Sequence, residues 1–412
     1  MAWKEVLVME ERCGFVLLAE KRQQSFSSLC AEYGISRKTG YKWLERYRKY
    51  GLKALSELSR RALHCPHKTS ADTEKLILSE RRKHPTWGPK KLQDLLIKVH
   101  QIESPPARST IGEILQRNGV PLRKRRKRGV FHLPLQDLTV PLATNEVWTV
   151  DFKGWFLALN GDRCDPLTVM DLYSRYVLCA KLLPGQTVRV TKPAFRTLFK
   201  RYGLPRVIRV DNGSPFASMG IGRLSELSVW WTHLGIRVEF IKPASPQENG
   251  AHERMHGTMK AEVTRPPSAN VPAQQQRLDR WRKEYNEERP HEGIGMQRPA
   301  QKYQVSPRRF RGSIKPLRYP RPMKALSVSG SGFIYLNGSA CFIGEALSGS
   351  RLGLKTLDNG IHEVYFAERL LGELHELAPD RLRPLAGWIP KGSKGIKKQG
   401  YRVNERVTHV PG

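Results

Sequence analysis

Three β-rich runs, then alternating helical and strand patterns punctuated by widely spaced acids, constrain this chain more than any other feature. Residues 146–156 read Glu-Val-Trp-Thr-Val-Asp-Phe-Lys-Gly-Trp-Phe. Their β-branched and aromatic residues favour a strand, with Asp151 in its middle. A carboxylate in an apolar strand costs free energy unless something pairs with it. Asn160-Gly161 marks a hairpin turn, and strands over 167–171 and 176–183 complete an antiparallel meander. A helix over 188–202 buries Phe195, Leu198 and Phe199. Residues 206–211 make a strand that ends on Asp211 and is turned at once by Asn212-Gly213. A helix over 224–234 and a strand over 237–241 follow. The last helix of this unit opens at Ser245-Pro246-Gln247, with Pro246 suited to a first turn, and carries Glu253.

The pattern predicts an α/β unit over 141–305. Asp211 follows Asp151 by 60 residues, and Glu253 follows Asp211 by 42. Neighbouring strands of one sheet can bring such residues together. Three hard oxygen donors on separate elements are what Mg²⁺ prefers. A structural carboxylate network would account for Asp151 alone, but not for the ordered trio. Asp171 is expected to hold the turn before Ser174-Arg175-Tyr176, and Asp162 and Asp165 to be solvated loop acids.

The whole chain has 412 residues and a formal net charge of +33. A surplus of that size makes the compact state repel itself unless a polyanion lies against it, and nucleic acid is the commonest such partner. The charge alone fits a basic RNA-associated protein equally well. The six cysteines include no CxxC pair, which predicts reduced thiols in a cytoplasmic protein. His64-Cys65-Pro66-His67 has no second pair at zinc-finger spacing and is read as linker. No apolar run approaches a membrane span, and the start Met-Ala-Trp-Lys-Glu has no apolar signal region.

Two helical units precede the α/β unit. In the first, 1–60, a helix contains Val16, Leu17 and Leu18, and a second spans 26–33. Gly34 breaks it, and Ser36 stands as N-cap before a third helix. Tyr41, Leu44 and Tyr47 share a face expected to pack inward. Arg37, Lys38, Thr39 and Lys42 then lie at the exposed start of that helix, the helix-turn-helix layout in which such residues meet base edges of DNA. In the second unit, 68–122, one helix runs over 71–82. Trp87-Gly88-Pro89 opens another with Leu92, Leu95 and Leu96 at core spacing. Thr110 and Glu113 form a capping-box pattern before a third helix that Gly119 ends. A basic linker, 123–140, contains the unbroken run Arg123, Lys124, Arg125, Arg126, Lys127 and Arg128. A block of like charge stays extended and is suited to tracking a phosphate backbone without sequence choice.

Beyond the α/β unit, a helix over 271–288 packs Leu278, Trp281 and Tyr285 and should dock on the core. Over 324–376, short apolar runs alternate with turns at Asn337-Gly338 and Asp358-Asn359-Gly360, which predicts a small C-terminal β-barrel. The tail 387–412, rich in Gly and Lys, is expected to be disordered. The fold class expected is therefore multidomain: helix-turn-helix units, an α/β core and a small barrel.

Four stretches together carry a specific resemblance. They are Trp148-Thr149-Val150-Asp151; Val210-Asp211-Asn212-Gly213-Ser214-Pro215-Phe216; Ser245-Pro246-Gln247-Glu248-Asn249-Gly250-Ala251-His252-Glu253-Arg254; and Tyr285-Asn286-Glu287-Glu288-Arg289-Pro290-His291. In this order and spacing they resemble the ribonuclease-H-like catalytic core of retroviral integrases and bacterial insertion-sequence transposases. The resemblance implies an Asp-Asp-Glu triad of Asp151, Asp211 and Glu253 that binds two Mg²⁺ ions (Mn²⁺ also serving) about 3.5–4 Å apart. It implies DNA end cleavage and strand transfer on double-stranded DNA, by a homo-oligomer at the bacterial nucleoid. The family's glutamate follows the Asn-Gly pair, which selects Glu253 and leaves Glu248 as the alternative. The spacing from Asp211 to Glu253 is longer than in retroviral integrases, and the extra residues are expected in 214–222. Lys260, two helical turns beyond Glu253, is either a phosphate contact or a solvated lysine. Arg254 and His256 lie near the site without an assigned role. Two other readings remain: a regulator derived from a transposase that has lost catalysis, and a ribonuclease-H-type nuclease that only hydrolyses.

Overall fold

The computed structural model describes residues 8–57, 68–120, 138–241, 246–314, 316–357, 360–376 and 378–383. The basic run 123–128, the His64–His67 cluster and the tail 387–412 lie outside them. The chain divides into two compact units, Met1–Ser70 and Ala71–Gly412.

The first unit holds helices α1 (Val8–Lys21), α2 (Phe26–Glu32) and α3 (Arg37–Tyr50). Gly34, at φ +63°, supplies the left-handed turn between α2 and α3. The Ser36 hydroxyl caps α3 by accepting the Thr39 N–H at 3.1 Å, as expected. The inward face of α3 differs from the expected one. Gly40, Trp43 and Leu44 are buried, whereas Tyr41 is 58% exposed and stacks on Phe26. The helical period sets Gly40 in line with Leu44 and Tyr47, and only a glycine there lets α3 approach α2. A Cβ at position 40 would lie 2.7 Å from Cys30 Sγ.

In the second unit, α4 (Ala71–Lys83), α5 (Pro89–Lys98) and α6 (Arg108–Arg117) close over Ile77, Trp87, Leu92, Leu95, Leu96, Ile111, Ile114 and Leu115. Helix α6 starts earlier than the capping-box pattern indicates. Ala107 is its N-cap, three residues before Thr110, which lies inside the helix, because the extended backbone favoured around Pro105 and Pro106 ends there. This bundle is fastened to the α/β core by polar contacts: His84 with Glu284 at 2.9 Å, Lys90 with Glu292 at 3.0 Å and Arg298 with Asp94 at 3.3 Å.

The core sheet comprises β1 (Val147–Phe152), β2 (Phe156–Leu157), β3 (Arg163–Asp171), β4 (Val177–Leu183), β5 (Val207–Val210) and β6 (Arg237–Phe240). Strand β3 lies between β1 and β4, antiparallel to both, while β5 and β6 extend the sheet from β1 in parallel. The parallel strands need crossover connections, and helices α7 (Val188–Tyr202) and α8 (Glu226–His233) provide them. Both pack on one face, around Phe195, Phe199, Trp230 and Trp231. On the other face lie α9 (Gly250–Glu262) and α10 (Val271–Glu287), with Met255, Met259, Leu278, Trp281 and Tyr285. This is the docking expected of the 271–288 helix.

Asp171 takes its expected role: its buried carboxylate accepts the N–H groups of Asn145 at 2.7 Å and Ser174 at 2.8 Å. Asp165 does not. It lies inside β3, 1% exposed, paired with Arg163 at 2.7 Å and bonded by Gln186; β3 begins four residues before the expected strand and draws it into the sheet. Part of 214–222 is anchored, since Phe216 and Ala217 are buried.

The C-terminal strands correct the expected barrel. Strands β7 (Lys324–Ser327), β10 (Arg351–Thr356), β11 (Ile361–Phe366), β12 (Arg369–His375) and β13 (Ala378–Arg383) form a five-stranded sheet in the order β13-β12-β11-β10-β7, while β8 (Phe333–Leu336) and β9 (Ser339–Phe342) form a separate two-stranded ladder. Closure requires the two edge strands to pair, and among the described residues β7 and β13 do not. The hairpin of β8 and β9 leaves the sheet and packs Ile334 and Cys341 against Leu352, Leu354 and Val364, together with Leu224 and Val229 from the core.

Candidate active site

Asp151 is the fifth residue of β1, and Asp211 directly follows β5. The parallel register sets Val147 opposite Val207, Trp148 opposite Ile208 and Thr149 opposite Arg209. Two residues further on, that register brings Asp211 beside Asp151. Both acids stand at the carboxyl ends of strands, where α/β sheets leave a crevice. The Asp211 carboxylate accepts the Gly213 N–H at 3.1 Å, and Asn212 donates to the Ile241 carbonyl at 2.6 Å. The Asn-Gly turn is thus tied to the end of β6. Helix α9 buries His252, Met255, His256 and Met259, the spacing of a single helical face. Glu253 flanks that face and is exposed.

Asp151 feels burial and both of its acidic neighbours. Burial pushes the Asp151 carboxyl up to about 7, and the charges of Asp211 and Glu253 add to the rise against the Phe152 N–H and Lys153. Burial also raises Asp211, opposed by the Gly213 N–H. Two half-buried aspartates that resist ionisation, beside a glutamate from a third element, fit a divalent cation, whose charge would reverse that balance.

Below the acids lies a polar cluster that the strand and turn signals do not reveal. Thr168, opposite Asp151 on β3, places its hydroxyl 2.9 Å from the Asp151 carbonyl oxygen, 2.8 Å from His252 Nε2 and 2.7 Å from His256 Nε2. The Thr149 hydroxyl is 2.7 Å from His252 Nδ1. His256 Nδ1 is 3.6 Å from Asp151 Oδ2. Burial lowers both histidines, His252 to about 3, and keeps them neutral. The available signal was the spacing His252-x-x-x-His256, which puts two imidazoles on one helix face.

Of the other expected site residues, Arg37, Lys38 and Lys42 are exposed on α3, and Thr39 is half-buried, its hydroxyl 3.0 Å from that of Ser36. Lys260 is exposed on α9, on Glu253's side of the helix. Glu248 lies in the 3₁₀ turn before α9. Arg254 is close enough to Arg175 for the two cations to repel.

A mixed sheet of ribonuclease-H-like topology, with acids at the carboxyl ends of two adjacent parallel strands and a glutamate on the helix beside them, defines an integrase-type core. An integrase core domain matches residues 141–246, and a second integrase core description matches 234–299. A helix-turn-helix domain matches 11–62 and a homeodomain-like domain 39–115. A 39.2 kDa protein of insertion element IS476 from Xanthomonas euvesicatoria is 30% identical over 257 residues, 60% of this chain and 70% of that protein. A 31.7 kDa protein of insertion element IS407 from Burkholderia multivorans is 26% identical over 251 residues, 59% of this chain and 86% of that one. The catalytic core domain of HTLV-2 integrase, solved with magnesium, is 19% identical and covers 40% of this chain and 99% of its own, at a TM-score of 0.32. The chain belongs to the insertion-sequence transposases with an integrase-type core and helix-turn-helix DNA-binding units. Among the described residues no helix is long and apolar enough to cross a membrane.

Proposed function

We propose that this chain cleaves the ends of an insertion sequence and joins them to target DNA, using Asp151, Asp211 and Glu253 to hold Mg²⁺, with Mn²⁺ accepted. The observation that carries this reading is the placement of Asp151 and Asp211 at the carboxyl ends of adjacent parallel strands, where burial and the neighbouring charges of Asp211 and Glu253 oppose ionisation of Asp151, an opposition that a bound divalent cation would relieve. The cation supplies a Lewis acid for an in-line displacement at phosphorus and lowers the pKa of an attacking water or 3′-hydroxyl. The chain's residues supply the positions. Parallel pairing of β1 and β5 sets the two aspartates side by side, and α9, whose buried face packs on the sheet, carries Glu253 next to that face. Arg37, Lys38, Thr39 and Lys42 read bases through α3. The run 123–128 and Lys260 hold phosphates. The complex is a homo-oligomer, because two element ends are processed together; a DNA complex that sediments strictly as a monomer contradicts this. It works on double-stranded DNA in the cytoplasm.

The test is strand transfer with purified protein, Mg²⁺ and a labelled duplex of the element's end, comparing wild type with Glu253→Gln and Glu248→Gln. Joining by wild type and Glu248→Gln but not Glu253→Gln supports the assignment. If wild type binds the duplex but neither cuts nor joins it with any divalent metal, the reading of a regulator without catalysis replaces it.

A further inference from the structure

The hydroxyl of Thr168 decides which nitrogen of each histidine carries hydrogen. It has one hydrogen to donate and two lone pairs to accept with, and three partners surround it. The Asp151 carbonyl can only accept, so it takes the hydroxyl hydrogen at 2.9 Å. The Nε2 atoms of His252 and His256 must then donate to Thr168, at 2.8 Å and 2.7 Å. In a ring that donates through Nε2, Nδ1 is the nitrogen left to offer a lone pair. That of His252 takes the Thr149 hydroxyl hydrogen at 2.7 Å, since that hydroxyl's other acceptor, the Met170 carbonyl, is farther away at 3.3 Å. That of His256 faces Asp151 Oδ2 at 3.6 Å.

Two lone pairs that face each other in a partly buried site repel unless a proton or a metal cation lies between them, and the proton is the ion that a cation would displace. Asp151, His252 and His256 also form a group of side chains close enough to hold one metal ion, but His252 has both nitrogens engaged. Only Asp151 and His256 retain free donors. With bonds of about 2.1 Å, a single ion spans donors roughly 3.0 Å apart in octahedral geometry and roughly 3.4 Å apart in tetrahedral geometry. The observed gap is slightly wider and closes with a small side-chain rotation.

We propose that His256 Nδ1 is a nitrogen ligand to the cation held by Asp151, so that this site is not purely a carboxylate site. The inference rests on the metal-binding role proposed above for Asp151. An imidazole donor suits Zn²⁺, Fe²⁺ and Ni²⁺, and Mn²⁺, a transition-metal ion that otherwise favours oxygen, takes a nitrogen ligand more readily than Mg²⁺ does. His256 thereby biases the site away from a strict preference for magnesium, and its fixed Nε2–H bond to Thr168 orients the ring for the task.

The experiment uses the full chain with Mn²⁺ as probe, read by pulsed electron paramagnetic resonance rather than by activity. Wild type is expected to show the ¹⁴N coupling of a bound imidazole, converted to a ¹⁵N pattern when the protein is labelled with ¹⁵N-histidine, a readout that needs no variant. His256→Gln is expected to keep Mn²⁺ at the site, lose the nitrogen coupling and weaken Mn²⁺ binding about tenfold or more, with a smaller loss for Mg²⁺. Mn²⁺ binding that Asp151→Asn abolishes, but that carries no nitrogen coupling in wild type, overturns the His256 assignment and leaves the proposed function standing. If Asp151→Asn leaves Mn²⁺ binding unchanged, the metal-binding role of Asp151 fails and this inference fails with it.

Discussion

Asp151→Asn should abolish end joining and at the same time stabilise the metal-free protein, with a gain that depends on pH. The Asp151 carboxyl, ordinarily at 3.8, stands at about 7 in the folded chain, chiefly through burial. The folded state therefore holds this proton more tightly than the unfolded state does. Below about pH 3.8 both states are protonated and there is no penalty. Between the two values the penalty grows, and above about pH 7 it is complete. A difference of about three pH units, at about 1.4 kcal/mol each, puts it near 4 kcal/mol. The side chain is 27% exposed, so the figure is an upper bound. Asparagine keeps the shape and removes the charge. In EDTA at pH 8 the variant should melt several degrees higher, at roughly 2–4 °C per kcal/mol for a domain of this size. The gain should shrink steadily toward pH 4. Mg²⁺ should raise the melting temperature of wild type and close the gap, because ligand that binds only the folded state stabilises it. Differential scanning calorimetry with and without Mg²⁺ measures all three. A variant no more stable than wild type at pH 8, or a gain that does not vary with pH, refutes the reasoning.

Two further outcomes follow from the packing. Gly40→Val should loosen the first helical unit by about 1–3 kcal/mol, since its Cβ would lie 2.7 Å from Cys30 Sγ and 2.9 Å from the Phe15 ring. Hydrogen exchange should accelerate in α1 to α3 and not in the core sheet; unchanged protection would count against the packing described. Glu262→Ala removes a carboxylate that accepts from Arg289 at 2.7 Å, from Trp281 Nε1 at 2.8 Å and from the Thr86 hydroxyl. The 8%-exposed Arg289 side chain is left unpaired, at a cost of about 3–5 kcal/mol, and exchange should rise in the turn from α4 to α5 and in α10. No change there would mean that this carboxylate does not hold the bundle to the core.

Local chemistry sets much of this molecule. The helix over 188–202, the Asn160-Gly161 hairpin, the Ser36 cap and the Asp171 turn could all be read directly, because each depends on spacing or on a residue's own backbone preference. The positions of Asp151 on β1, Asp211 after β5 and Glu253 on α9 were legible for a related reason: each sits beside a strong local signal, a β-branched run or an Asn-Gly pair. Where the sequence misled, longer range decided. Whether the last strands close into a barrel depends on which edges meet, and nothing in the period of β7 or β13 says that the β8–β9 hairpin will fill the space between. Tyr41 and Trp43 fit a helix equally well, and only the approach of α2 to Gly40 determines which is buried. Asp165 reads as a loop acid until β3 extends around it and Arg163 and Gln186 satisfy it. The histidine cluster is the clearest case: His252 and His256 are an unremarkable pair on a helix until the sheet delivers Thr149 and Thr168 from two other strands. Hydrogen-bond direction, tautomer and the free nitrogen facing Asp151 then follow from the number of donors and acceptors brought together, which only the tertiary structure decides.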